Sequence, residues 1–143
     1  MSLDKEPMKV SDAMRIAKEF YSKEGYDHAM RVAGYVAENA SIPHSYRDEC
    51  VCLAIMHDLI EDTEYKSYSY LPENFKKALL LLTKPKDMSY VDYCKKLRCT
   101  DCTHYALCAY WVKLADMKDH LCLKETLTDR LKEKYLAGLA ELL

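Results

Sequence analysis

The segment His57-Asp58-Leu59-Ile60-Glu61-Asp62 gathers an imidazole and three carboxylates, and a further acid, Asp116, ends the apolar run Val112-Lys113-Leu114-Ala115-Asp116. Read as continuous helix, His57 pairs with Glu61 and Asp58 with Asp62 at i,i+4, so the four groups occupy adjoining stripes of one face. They follow an apolar stretch, Cys52-Leu53-Ala54-Ile55-Met56. Imidazole nitrogen and carboxylate oxygen together suit a borderline-to-hard divalent cation, which would offset the crowded acidity. The competing reading is a solvated acidic helix end before a turn.

One helix face rarely surrounds an ion, so other helices must supply donors. His28, within Tyr26-Asp27-His28-Ala29-Met30-Arg31-Val32-Ala33, combines with His57, Asp58 and Asp116 into an ordered set, H…HD…D. A lone helical histidine is more often a surface or satisfied core residue. The ordered set gives this one its weight.

The elements that must position these groups read as helices. Three glycines and four prolines are few for 143 residues, and Leu, Ala, Lys and Glu are abundant, so the expectation is an all-α single domain of about six to seven helices. Ser11 is expected to cap a helix carrying Ala13, Met14, Ile16, Ala17 and Phe20 inward, broken at Gly25. A second helix starts at Asp27, and Ser41-Ile42-Pro43 turns the chain. A third runs from Tyr46 through Ile60 to near Thr63. The polar, tyrosine-rich stretch 63–71 reads as a loop, and Pro72 opens a fourth helix ending at Leu82. Helices over 89–97 and 105–117 follow, and Thr126 or Thr128 caps a last one reaching Leu143. Residues 1–143 form one domain with a flexible segment at 1–9.

Net charge is −2 with both signs interspersed, so no basic field exists to attract nucleic acid. No run approaches the roughly 20 apolar residues that cross a bilayer, and the polar N-terminus lacks a secretory apolar core. The expectation is a cytoplasmic protein without membrane or nucleic-acid partners, its seven cysteines reduced.

With these residues in view, the chain resembles the HD-domain superfamily of metal-dependent phosphohydrolases, and within it the hydrolase domain of RelA/SpoT-type enzymes and their small stand-alone relatives. The resemblance is carried by Tyr26-x-His28, by His57-Asp58-Leu59-Ile60-Glu61-Asp62-Thr63, by Leu82-Thr83-Lys84 and by Val112-Lys113-Leu114-Ala115-Asp116, with Leu131-Lys132-x-Lys134-Tyr135 in the last helix. It spans roughly residues 10 to 143. It implies an all-α bundle around one divalent ion, typically manganese, ligated by His28, His57, Asp58 and Asp116. It also implies that Glu61 and Asp62 position or deprotonate the attacking water, and that the substrate is the 3′-pyrophosphate of guanosine tetra- or pentaphosphate.

Such an ion acidifies water and offsets charge at phosphorus, and a nearby carboxylate can take the water's proton. Thr83, Lys84 and the loop tyrosines are expected at the rim of the cleft, and Lys113 either screens the acidity, contacts phosphate or is simply solvated. His120 stands where the resembled enzymes usually carry an asparagine that helps hold substrate, and the stretch before His28 is short. The expected function is therefore hydrolysis of a phosphorylated nucleotide, with a 5′-nucleotidase or other phosphomonoesterase as alternative. A non-catalytic nucleotide sensor is the third reading, and the intact Glu61-Asp62 pair argues against it.

Cys99, Cys102, His104 and Cys108 are soft donors within ten residues, with Cys94 just before. Their spacing is tighter than a zinc knuckle and no second ligand pair brackets a loop, so reduced thiols without zinc are expected. Of the twelve tyrosines, Tyr65, Tyr68 and Tyr70 in the loop are preferred over Tyr90 and Tyr93 as base-stacking candidates.

Overall fold

The computed structural model describes residues 7–98, 103–123 and 125–143; the expectations for residues 1–6, Cys99 and Cys102 lie outside that set. Within it the chain is all-helical, with α1 (Val10–Phe20), α2 (Lys23–Glu38), α3 (His44–Met56), a single turn α4 (Leu59–Asp62), a 3-10 turn (Ser67–Tyr70), α5 (Glu73–Leu81), α6 (Tyr90–Arg98), α7 (His104–Cys122) and α8 (Asp129–Leu142). Among the described residues there is no strand, and no helix is long and apolar enough to cross a membrane.

The longest helix, α7, is the axis. It packs on α2, α3, α5, α6 and α8, while α1 lies on α3 and α6 lies on α8. Being covered on several sides, it buries apolar residues (Ala106, Cys108, Ala109, Val112, Ala115, Met117) together with Lys113, Asp116 and Asp119. A helix enclosed this way loses the one-sided apolar stripe of a surface helix, so the periodicity of its sequence is weak. Its charged residues must find partners inside the protein.

Several helix ends differ from the sequence expectation. Helix α1 begins at Val10 after Lys9, with no side-chain cap, so Ser11 lies inside it; Met8 and Val10 pack on the core and draw the start back. The break before α2 falls at Tyr21–Ser22, not at Gly25. The Ser22 hydroxyl accepts the Gly25 N–H at 3.1 Å, satisfying one of the free donors of the first turn. At the other end of α2, the Arg47 guanidinium donates to the carbonyls of Ala37 (2.8 Å), Asn39 (3.0 Å) and Ile42 (2.9 Å), closing the turn into α3. Thr128, not Thr126, caps α8, its hydroxyl accepting the Leu131 N–H at 3.1 Å.

The expected helix through Ile60 is interrupted where the chemistry sits. Helix α3 stops at Met56, Asp58 adopts φ −100° and ψ 2°, and the chain resumes as α4. Asp58 thus occupies the bridge region, where active-site residues often sit. The stripes expected from a continuous helix therefore do not form. Local hydrogen bonds hold the break: His57 Nδ1 donates to the Ala54 carbonyl at 2.6 Å, and the Asp58 N–H donates to the Tyr21 hydroxyl at 3.1 Å.

Helices α6 and α8 approach closely at Gly138, where a Cβ would meet the Tyr90 ring at 2.6 Å and Cys94 Sγ at 2.9 Å. Gly138→Ala is expected to destabilise the fold by about 1–3 kcal/mol through overpacking. Denaturant melts of the two chains check this.

Candidate metal centre

Four donors from three stretches of chain meet beside α7. His28 comes from α2, His57 and Asp58 from the break after α3, and Asp116 from the middle of α7. One ligand atom from each lies within 4.8 Å of all the others. The closest approaches converge on Asp116 Oδ1, which has His28 Nε2 at 2.8 Å, His57 Nε2 at 3.1 Å and His120 Nε2 at 3.2 Å. Asp58 Oδ2 completes the cluster at 3.2 Å from His57 Nε2 and 3.6 Å from His28 Nε2.

The tautomers follow from the partners on the far side of each ring. A carbonyl oxygen can only accept, so His57 Nδ1 carries a hydrogen for Ala54 and Nε2 is the nitrogen aimed at the cluster. His28 Nδ1 faces Asp119 Oδ2 at 2.6 Å, which likewise turns its Nε2 inward. Both rings present the nitrogen a cation needs, each backed by an acceptor that fixes its orientation, as in the carboxylate–histidine–metal arrangement.

Asp119 is the functional residue that sequence reading missed. It is 1 % exposed, and Arg31 holds it from the other side, Nε donating to Oδ1 at 2.8 Å and Nη2 to Oδ2 at 3.1 Å. Burial works against its ionised form, but Arg31 and then His28 outweigh it and hold its carboxyl below the usual range. The signal was a pair of one-turn spacings: Arg31 follows His28, and Asp119 follows Asp116, each by three residues on the same helix. Asp119→Asn is expected to weaken divalent-metal affinity about 10–100-fold while leaving the fold intact. Calorimetric titration with manganese measures it.

Lys113 is buried rather than solvated. Its Nζ donates to Asp116 Oδ2 at 2.9 Å and lies 5.1 Å above the Tyr90 ring and 5.3 Å above that of Tyr93. Burial opposes its charge, yet Asp116 and the two tyrosines raise its pKa well above the ordinary value. The same logic runs through the cluster. Burial disfavours every charge, but Lys113 and His57 hold Asp116 well below the carboxylate range. Asp58 and Asp116 hold His57 well above the imidazole range. A divalent cation at these four donors would compensate the same carboxylates.

A polar cleft of about 230 Å³ opens onto the cluster. Its lining joins the acids Asp58, Glu61, Asp62 and Asp116 and the imidazole of His120 to three lysines, Lys84, Lys113 and Lys134, and three rings, Tyr90, Tyr93 and Tyr135. Burial first, then the charges of Asp58 and Glu61, push the Asp62 carboxyl above its ordinary value. Glu61 accepts the Lys84 N–H, tying α4 to the turn after α5. The Lys84 ammonium donates to the carbonyls of Pro85 (3.0 Å) and Met88 (2.8 Å), so two of its three hydrogens are spent on its own turn.

The other expected rim residues are distributed differently. Thr83 donates its hydroxyl to Leu79 O at 3.1 Å and lines a neighbouring apolar cavity of about 380 Å³ beside Tyr93. The loop tyrosines stand away from the cleft: Tyr65 is buried against Phe20 with ring centres 5.3 Å apart, Tyr68 packs on the core, and Tyr70 is 79 % exposed. The aromatic walls come instead from Tyr90, Tyr93 and Tyr135. Lys134, 4.7 Å above the Tyr90 ring, lines the cleft with its neighbour Tyr135, a position that the Leu131-Lys132-x-Lys134-Tyr135 pattern does not by itself predict. His120 reaches the cluster through Asp116 and is stacked flat on Tyr135, centroids 4.6 Å apart at 6°.

These residues can hold a divalent ion beside a cleft whose lining includes lysines and aromatic rings. No protein-family model matches the chain, and no curated protein matches it.

Proposed function

We propose that this chain is a metal-dependent phosphohydrolase of the HD type, acting on a phosphorylated nucleotide. One observation carries the reading: His28, His57, Asp58 and Asp116 bring their donor atoms within 4.8 Å of one another, with both imidazoles presenting Nε2. The donor set is nitrogen and oxygen only, which suits manganese or a similar divalent ion. When bound, the ion supplies acidification of water and neutralisation of phosphate charge.

The chain's own residues do the rest. Asp62, with its pKa raised and its side chain on the cleft wall, takes the proton of the attacking water. Glu61 keeps α4 against the Lys84 turn, and so keeps Asp62 facing the cluster. Lys113 fixes Asp116, and Lys134 with Lys84 offers positive charge at the mouth, where a polyanion must enter over an acidic floor. Tyr90 and Tyr135 line the same cleft, where they can pack against whatever extends from the phosphates.

A pyrophosphoryl group has more charge to distribute than a monoester and gains more from this arrangement. Preferred hydrolysis of a nucleoside pyrophosphate, guanosine tetraphosphate being the first to try, is therefore the reading adopted. A second reading, phosphomonoesterase, has its own support: the cleft of about 230 Å³ is smaller than the roughly 300–1,000 Å³ usual for a ligand pocket, so it fits a phosphate group better than a whole nucleotide. Measurement of kcat/KM with manganese, for guanosine tetraphosphate against a panel of nucleoside monophosphates, decides. The first reading expects the pyrophosphate to win. A tenfold or larger preference for a monophosphate, about 1.4 kcal/mol of transition-state stabilisation, favours the second. Tight binding without turnover of either makes the protein a sensor.

A further inference from the structure

A second group of metal-ligating side chains lies apart from the cleft, at the other end of the α3–α7 contact. Glu49 on α3 faces His104 and Cys108 on α7, and one donor atom from each of the three lies within 4.8 Å of the others. His104 and Cys108 are one turn apart on the same face of α7. Cys108 is 1 % exposed, its thiol beside that of Cys50, while Glu49 and His104 are only partly covered. The cluster therefore has a buried sulfur at its base and an accessible edge.

We propose that Glu49, His104 and Cys108 form a zinc site that clamps α3 to α7. Three features separate it from an ordinary ion pair. First, His104 Nε2 is buried and has no aligned hydrogen-bond partner among the described residues, although Glu49 Oε2 is only 2.5 Å away. The two atoms approach off the hydrogen-bond line, so the buried ring nitrogen is left without an aligned partner there. Second, the imidazole is held by a flat stack on Tyr46, centroids 3.9 Å apart at 6°, which fixes where Nε2 points. Third, sulfur, nitrogen and carboxylate oxygen together are a zinc set, whereas the nitrogen–oxygen cleft cluster suits a harder ion.

The spacing is within reach of coordination. Bonds of about 2.0–2.3 Å at tetrahedral angles put donors roughly 3.3–3.8 Å apart. The partly buried Glu49 side chain needs to swing out by about 1 Å, and Cys108 loses its proton on binding against the neighbouring Cys50 thiol and burial, which both push its thiol up, leaving the fourth position to water. The expectation against zinc at Cys99, Cys102, His104 and Cys108 considered only donors close in sequence. Glu49 arrives from another helix, and Cys99 and Cys102 are no part of this site.

The position gives the site a purpose. Glu49 precedes His57 by eight residues, and Cys108 precedes Asp116 by eight. The two helices thus run side by side in the same direction for about 12 Å, zinc pinning one end and the cleft cluster joining the other. A clamp there fixes the register in which Asp116 meets His57.

Cobalt replaces zinc and reports thiolate ligation by a near-ultraviolet charge-transfer band, which the sulfur-free cleft cluster cannot produce. The whole chain, stripped with chelator, is titrated with cobalt and then with zinc. The expected result is a band saturating at about one equivalent, abolished in Cys108→Ser and His104→Ala, with zinc affinity falling roughly 100-fold or more in His104→Ala. Glu49→Gln, at a partly exposed position that the fold tolerates, should weaken binding as well. Absence of a band overturns the proposal. So does a band that persists unchanged in His104→Ala and Glu49→Gln, which would belong to other cysteines. Neither result bears on the phosphohydrolase reading, whose donors are separate.

Discussion

Asp116→Asn is expected to destabilise the protein by about 3–5 kcal/mol and to abolish metal-dependent hydrolysis. The stability loss comes from Lys113. Its ammonium is buried and donates to Asp116 Oδ2 at 2.9 Å, and removing one partner of a buried pair leaves the other uncompensated. The loss of function has a different cause, since the same carboxylate is the point on which His28, His57 and His120 converge. The double variant Lys113→Met with Asp116→Asn separates the two. It should recover much of the lost stability, because the stranded charge is gone, without recovering manganese binding or turnover. Thermal melts and metal titration on the three chains check both parts. Recovery of turnover in the double variant would mean that Asp116 serves only the fold.

The second large effect is on the rate. Asp62→Asn should lower kcat by about 10²–10⁴-fold, the usual contribution of a positioned general base, while manganese still binds. Asp62 is not among the four converging donors, yet it lines the same cleft, and burial with its acidic neighbours raises its proton affinity. The role as base also sets the direction of the pH dependence. As a base Asp62 must be ionised, so activity should be lost on acidification as its carboxylate takes up a proton, and a bound divalent cation beside it would draw that loss to lower pH than in the metal-free protein. A variant that loses the metal along with the rate would make Asp62 a ligand instead.

The helices were legible where one face of each is apolar. In α2 the residues expected inward were Ala29, Val32, Ala33, Val36 and Ala37; the first four are buried, while Ala37, in the last turn, is exposed, as is Met14 of the set expected inward in α1. The interruption at His57–Asp58 was not legible, because nothing in Ile55-Met56-His57-Asp58-Leu59 disfavours helix. The break is stabilised from outside, by the Tyr21 hydroxyl on the Asp58 N–H, a contact between residues 37 apart in sequence. Tertiary partners of this kind override local propensity.

The cleft followed the same division. The four donors could be picked out because their chemistry is unusual for helical positions. Their supports could not, because each depends on a pairing between distant helices: Arg31 with Asp119, and Lys113 with the rings of Tyr90 and Tyr93. The tyrosines misled for a related reason. A polar loop invites the reading of an exposed rim, but Tyr65 is taken into the core by Phe20, and the rings that reach the cleft come from α6 and α8.

Anomalous scattering at the manganese edge, from crystals of the protein grown with manganese, tests the central claim most directly. The account predicts a single strong peak with His28 Nε2, His57 Nε2 and the carboxylates of Asp58 and Asp116 about 2.0–2.3 Å away, distances within the usual range for nitrogen and oxygen ligands. No peak among these four side chains, or a manganese peak held by other residues, would contradict it.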